Sequence, residues 1–285
     1  MDVEQHPGMS TSIWSVAIAA LVLTASVSGL VGQSAYDEET TNWATQARGQ
    51  DIGNLLAVVT LLVSGHLFRK GSHRAALVWL GTLLYLVYAY VIYTMAVHFN
   101  QLFLVYVAAL GLSAYAFMLS VDRLRAADLA LAAPGASRLA GYTSTAIGVV
   151  FAGLWLSELV PATLSDEVPQ SVTDAGLWVN PVHVIDLAFL LPAMVLAGIL
   201  ALRGRASGQF FVGPLLVFSV LMGTSIVAAM VLMALEGFED TLAPLVMVSL
   251  VVLASAFAAW RHLQRYTGVR PEPSTVTRTS GPFVS

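Results

Sequence analysis

The chain has 285 residues, of which 57% are hydrophobic and 11% charged. A soluble globular domain carries about 25% charged residues, so this composition belongs in a bilayer. The formal net charge is −4 and there is no cysteine, which argues against nucleic-acid binding and excludes disulfides, thiolate metal sites, covalent c-type haem and a cysteine nucleophile.

A membrane-crossing helix needs about 20 apolar residues to cover about 30 Å of hydrocarbon. Eight such stretches occur, at 13–32, 52–68, 75–97, 101–121, 141–160, 181–202, 208–235 and 242–262. They are continuously apolar, without the alternation of a barrel strand, and backbone groups in lipid must pair internally. The expected fold is therefore all-α, an integral membrane bundle of eight transmembrane helices over 13–265. A short segment, 1–12, precedes it, and a Pro- and Ser/Thr-rich tail, 266–285, reads as disordered.

Of the 13 Lys and Arg residues, 12 fall on alternate loops and only Arg48 on the other side. Short loops rich in Lys and Arg stay cytoplasmic, so both termini are expected in the cytoplasm and the acidic loops outside. The first stretch has no Lys or Arg ahead of it and exceeds a signal-peptide core, so it is expected to be retained. Trp14, Trp79 and Trp260 at inner ends, and Trp43, Trp155 and Trp178 at outer ends, read as interfacial anchors.

Asp51 and Asn54 open the second helix, at its outer end. Lys70, the single lysine, lies in the basic turn after it; a retinal Schiff base needs a lysine inside the bundle, so such a pigment is excluded. Tyr85, Tyr88, Tyr90 and Tyr93 are too closely spaced to share one face of the third helix, and only Tyr90 or Tyr93 is near enough to the outer end to line a pocket. His98 and Asn100 lie in the next turn, and 122–139 is expected to form a short surface helix. Glu158 lies three residues before Pro161, where the fifth helix is expected to end. An acid there meets the negative end of the helix dipole, and either reaches headgroup water or joins Asp186 and His183.

The strongest local signal opens the sixth helix, Asn180-Pro181-Val182-His183-Val184-Ile185-Asp186. Asn at the N-cap and Pro at the first position form a good start. His183 and Asp186, three apart, share a face. Asp186 lies about 9 Å along the helix from Asn180, at a depth where acids face a bundle interior or cavity. A neutral imidazole beside a carboxylate is what a metal-ligand pair or a proton relay requires; the alternative is an Asp–His hydrogen bond that fixes packing. Pro192 frees the carbonyl of Ala188 and is expected to kink the helix. In the seventh helix, Gly213-Pro214 and Thr224-Ser225 suit helix packing better than a substrate site.

The loop plan repeats: a long outer loop, a short basic turn, then a short outer turn in each half. This suggests two parallel four-helix halves. His183, Asp186 and Glu158 together are a candidate divalent-metal set with an open position, although no His-Glu-x-x-His spacing accompanies them. Paired haems on His66/His262 and His98/His183 are disfavoured, because His66 and His262 lie beside Arg69 and Arg261. No G-x-S-x-G, Walker A or G-x-G-x-x-G pattern occurs.

Four stretches, Gly49-Gln50-Asp51, Phe99-Asn100-Gln101-Leu102-Phe103-Leu104-Val105-Tyr106, Leu154-Trp155-Leu156-Ser157-Glu158 and Asn180 to Leu187, occur in that order. Together they resemble a family of uncharacterised bacterial multi-pass inner-membrane proteins, over about residues 40–235. The resemblance implies a bacterial inner-membrane location and no particular activity. The leading expectation is a small-molecule or ion binding or transport protein, not an enzyme, with a polar pocket opening outward. Its core is Asp186 and His183, with Glu158 a second carboxylate and His98, Asp51, Asn100 and Tyr93 around it. The rivals are an intramembrane metal-dependent enzyme and a structural subunit. Expected partners are the lipid bilayer, an external small molecule or ion, and a second copy of the chain or a membrane-complex subunit.

Overall fold

Long apolar runs leave the backbone one way to satisfy its own hydrogen bonds, and the chain is helical almost throughout. The computed structural model describes residues 7–32, 34–126, 129–131 and 137–269. Its helices are α1 (Pro7–Val31), α2 (Thr41–Arg69), α3 (His73–Ala96), α4 (Phe103–Ala126), α5 (Arg138–Ser165), α6 (Gln170–Ala175), α7 (Pro181–Ile185), α8 (Leu191–Leu202), α9 (Ala206–Leu235) and α10 (Leu242–Leu263). A π-helical turn, Asp186–Leu190, joins α7 to α8, so Pro181–Leu202 runs as one rod. Among the described residues, eight helices are long and apolar enough to cross a membrane. The protein is an all-α, multi-pass membrane bundle.

The eight spans form two groups of four. Helices α1 to α4 each pack on the next, and α4 returns to α1; α5, α7–α8, α9 and α10 repeat that ring. Four spans per half start both halves at the same end of the bundle, so the halves are parallel. They meet where α9 lies against α2 and α3.

Small residues allow that approach. A side chain on Gly49 of α2 would overlap Ala229 of α9, and one on Gly53 would overlap Ser225. In lipid there is little hydrophobic drive between helices, so close backbone packing carries much of the association. Gly141 and Gly148 of α5 do the same against α8, opposite Gly198 and Leu191.

Several boundaries differ from the sequence reading. Helix α2 begins at Thr41, not at 52, with Thr40 as N-cap accepting from the Trp43 amide at 3.2 Å. Its first turns are amphipathic, with Trp43, Ala44 and Ala47 buried, so polar residues that resemble a loop lie on a helix. The 29 residues of α2 extend about 44 Å, more than the hydrocarbon thickness, and carry Asp51 inside the bundle.

Helix α5 continues through Pro161 and stops at Asp166, whose φ is 56°. Proline forfeits one hydrogen bond, which is tolerated this near a helix end. At Pro192, where a kink is expected, a π turn precedes the proline, and the Leu191 amide bonds the carbonyl of Asp186, five residues back. Helix α1 starts at Pro7, within the segment read as preceding the bundle.

Within 122–139, where a short surface helix is expected, α4 runs on to Ala126 and a strand, β1 (Leu129–Leu131), follows; residues 127–128 and 132–136 lie outside the described residues. It pairs antiparallel with β2 (Tyr266–Val269), inside the segment read as tail. Tyr266 is buried, its hydroxyl donates to the Gln209 carbonyl at 2.8 Å, and Arg74 donates to the carbonyls of Tyr266 and Gln264. The rest of the expected tail, 270–285, lies outside the described residues, as do residues 1–6.

Three tryptophans have partners beyond the interface. Trp79 is fully buried and donates to Ser15 at 2.8 Å, Trp43 donates to the Ala96 carbonyl at 2.7 Å, and Trp155 bonds Asp186. Trp178 and Trp260 are exposed, as interfacial anchors should be.

Gly53→Leu should force α2 away from α9 and destabilise the detergent-solubilised protein by about 1–3 kcal/mol, read as a lower thermal midpoint. Gly111→Ala, where the added Cβ meets nothing within 4 Å, should not lower the midpoint.

Candidate functional site

Among the described residues two acids, Asp51 and Asp186, are buried in the bundle, and α3 supplies a phenol to each. Tyr88 donates to Asp186 Oδ1 at 2.9 Å, and Tyr93 donates to Asp51 Oδ1 at 2.8 Å. The two tyrosines are five residues apart, about 140° around the helix, so α3 serves both halves from different faces. The other oxygens are also occupied. Trp155 Nε1 of α5 donates to Asp186 Oδ2 at 2.8 Å, and Tyr36, in the α1–α2 turn, donates to Asp51 Oδ2 at 2.6 Å. Asp51 is 1% exposed and Asp186 7%. Asp51 is thus a core residue of the first half rather than a residue of an outer rim.

Every one of these donors is neutral. The ion pairs among the described residues are Arg48–Glu236 at 3.7 Å and His98–Glu39 at 3.1 Å, and neither involves Asp51 or Asp186.

The Asn180 side chain accepts from the Val182 amide at 2.9 Å, fixing the start of α7 as its sequence suggests. His183 follows, buried, with its ring 4.7 Å from that of Trp155 and tilted 52° to it. Its Nε2 is buried without a hydrogen-bond partner. The side chains of His183 and Asp186 form no hydrogen bond to each other; Trp155 touches both, packing tilted against the imidazole and donating to the carboxylate. An indole near the end of an apolar helix looks like an anchor, and only the packing of α5 on the α7–α8 rod reveals this role.

His183 lines an open groove of about 600 Å³ between the end of α5, the loop around α6, and α7. Glu167 and Asn180 are its other polar walls; Val168, Trp178 and Val184 are among the apolar ones. The volume suits a small molecule, but the lining is mainly apolar rather than polar as expected.

The remaining candidates are held by other partners, although the Glu158 carboxylate lies near enough to His183 for its charge to act on the ring. Glu158 Oε1 accepts from the Ser171 amide at 3.3 Å, at the start of α6, and holds the loop in place. It forms no hydrogen bond to His183 or Asp186, and among the described residues no three His, Asp or Glu side chains gather where they could hold a metal ion. His98 binds Glu39 through its amide at 2.6 Å and its ring at 3.1 Å. Asn100 donates to the Ala35 carbonyl at 3.1 Å and accepts from the Leu102 amide at 2.8 Å. Both tie the α3–α4 turn to the α1–α2 turn.

A separate network crosses between the halves. Tyr85 of α3 donates to Asn54 at 3.0 Å, receives from Gln50 at 2.5 Å, and bonds Ser225 of α9 at 2.7 Å. Sequence spacing does not signal it, because its members come from three helices. No protein family, curated protein or solved structure matches this chain.

Burial and the nearby Asp51 charge hold the Tyr36 phenol well above its ordinary value of 10.0. Below about pH 10 it is protonated in both folded and unfolded chains and adds no pH dependence. Above that, the unfolded chain loses the proton while the folded chain keeps it, so stability falls as pH rises. The thermal midpoint should therefore drop beyond about pH 10, and less steeply in Tyr36→Phe. An unchanged slope in that variant would remove Tyr36 as a contributor.

Proposed function

We propose that this chain is a small-molecule binding or transport protein of the bacterial inner membrane, with both termini in the cytoplasm and the groove opening outward. The observation that carries this reading is His183, a buried side chain with an unpartnered ring nitrogen in the wall of an otherwise largely apolar groove. The ligand it fits is a small amphiphile. Its apolar part lies against residues such as Trp178 and Val184, and its polar group meets the imidazole.

Trp155 links that event to the bundle. It packs tilted against His183 and donates to Asp186, which also accepts from Tyr88 of the central helix α3. A ligand that displaces the imidazole therefore acts on the contact between the halves, where α3 lies against α9. Rocking of two parallel halves about a site at their junction is an established route to alternating access.

Orientation is supported by the basic loops at one end of the bundle and the acidic loops at the other. Arg48, the one exception, is paired with Glu236. The bacterial location rests on the resemblance of the four sequence stretches.

Thermal stabilisation by a panel of small amphiphilic acids, amines and alcohols tests the site. At least one class should raise the midpoint of the wild type and fail to do so in His183→Ala. Asp186→Asn should fold and still bind that solute but lose its uptake into proteoliposomes. Equal stabilisation of wild type and His183→Ala by every active solute would remove the groove as the site.

Because the chain lacks cysteine, single replacements report sidedness. Thr173→Cys, at the acidic end, should react with an impermeant maleimide in intact cells, and Ala206→Cys, at the basic end, only after permeabilisation. The reverse pattern would invert the orientation.

A further inference from the structure

The core of the first half is polar where a bundle in lipid is ordinarily apolar. Asp51 lies there with Ser26 of α1, Asn54 of α2, Tyr90 and Tyr93 of α3, and Tyr106 of α4. The three phenol rings pack on one another with centroids 5.1 to 6.2 Å apart. The Ser26 hydroxyl lies beside both Asp51 and Tyr90, without a well-formed hydrogen bond to either. Gly29, one turn from Ser26, lets α1 come this close, since any side chain there would overlap the Asp51 carboxylate and the Tyr36 hydroxyl.

Four polar atoms around this carboxylate are buried without a well-formed hydrogen bond: Ser26 Oγ, Asn54 Nδ2, Tyr90 Oη and Tyr106 Oη; Ser26 and Asn54 face Asp51, and Asn100 faces Tyr106. Buried polar atoms are almost always well paired, in protein or through a bound species, so a concentration of exceptions around one carboxylate points to an occupant. Its charge follows from the surroundings. Asp51 is met only by neutral donors, and a lone negative charge within a bilayer is costly. Three of the four atoms are hydroxyl oxygens with lone pairs to offer. A hard divalent ion is ordinarily held by several carboxylates and carbonyls; here there is one carboxylate.

We propose that Asp51, Ser26, Tyr90 and Tyr106 hold a monovalent alkali cation in the core of the first half, at a site separate from the His183 groove. Tyr36 and Tyr93 orient the carboxylate by donating one hydrogen bond to each oxygen, and each oxygen keeps a lone pair for the ion. The cation supplies the positive charge that no side chain provides, and ties α1, α2, α3 and α4 together.

The test is a thermal melt of the full chain in detergent, titrated with lithium, sodium or potassium chloride against choline chloride at constant ionic strength. One alkali cation should raise the midpoint saturably in the wild type. Asp51→Asn, nearly isosteric and neutral, should lose that response while keeping its helical circular dichroism. Should Asp51→Asn fail to fold, Ser26→Ala and Tyr90→Phe remove one ligand each and should raise the half-saturating concentration about tenfold. His183→Ala should respond as the wild type does, so the failure of either site leaves the other standing. A midpoint indifferent to all three cations would overturn the proposal. So would a response that survives in Asp51→Asn, or one that depends on pH alone, which would assign the missing charge to a bound proton.

Discussion

A carboxylate inside a bilayer must be met by donors, and Asp51 and Asp186 each take one from the same helix. Water is not there to hydrate them, and an unmet acid at that depth is costly. Helix α3 resolves this for both, with Tyr93 turned toward Asp51 and Tyr88 toward Asp186. The second donor to each comes from elsewhere, Tyr36 in a turn and Trp155 on α5. The position of α3 is thereby set against the first half, where Asp51 lies, and against the start of the α7–α8 rod in the second.

The rest of the architecture is compatible with that demand because the halves approach closely. Gly49 and Gly53 bring α2 onto α9, and the same contact lets Ser225 join Tyr85, Asn54 and Gln50. Small residues and polar cross-links thus occupy one seam. Away from it, exposed residues such as Leu104, Leu250 and Leu253 are large and apolar, as lipid contact requires. The π turn serves the same end locally. It accommodates Pro192 and begins at Asp186 itself, so the backbone irregularity and the buried acid occur together.

The candidate site was legible in parts. Asp186 and His183 could be read from an Asn-Pro helix start followed by ionisable residues at membrane depth. Asp51 was visible as a candidate but assigned to the rim, because the polar turns before it resemble a loop and shift the apparent start of α2. Tyr36 and Trp155 carried no signal, one a tyrosine in a polar turn and the other a tryptophan near a helix end. Glu158, His98 and Asn100 are the converse case. A polar side chain near a helix end has the same sequence appearance whether it meets a ligand or a neighbouring backbone amide, and these three meet neighbouring turns or their amides and carbonyls.

By itself the sequence determined the eight spans, the all-α class, the asymmetry of charge between the two ends and the repeat of four spans. Each of these depends on local composition or on counting along the chain: a run of about 20 apolar residues can only be a helix in lipid, and alternation then orders the loops. The tertiary structure alone decided that Asp51 and Asp186 form separate centres, that His98 is held by Glu39, and that Trp155 touches both His183 and Asp186. These depend on the rotation of each helix and on which helices touch. Those are set by where small residues permit close contact and where buried donors find acceptors, between residues as far apart in the chain as Tyr85 and Ser225.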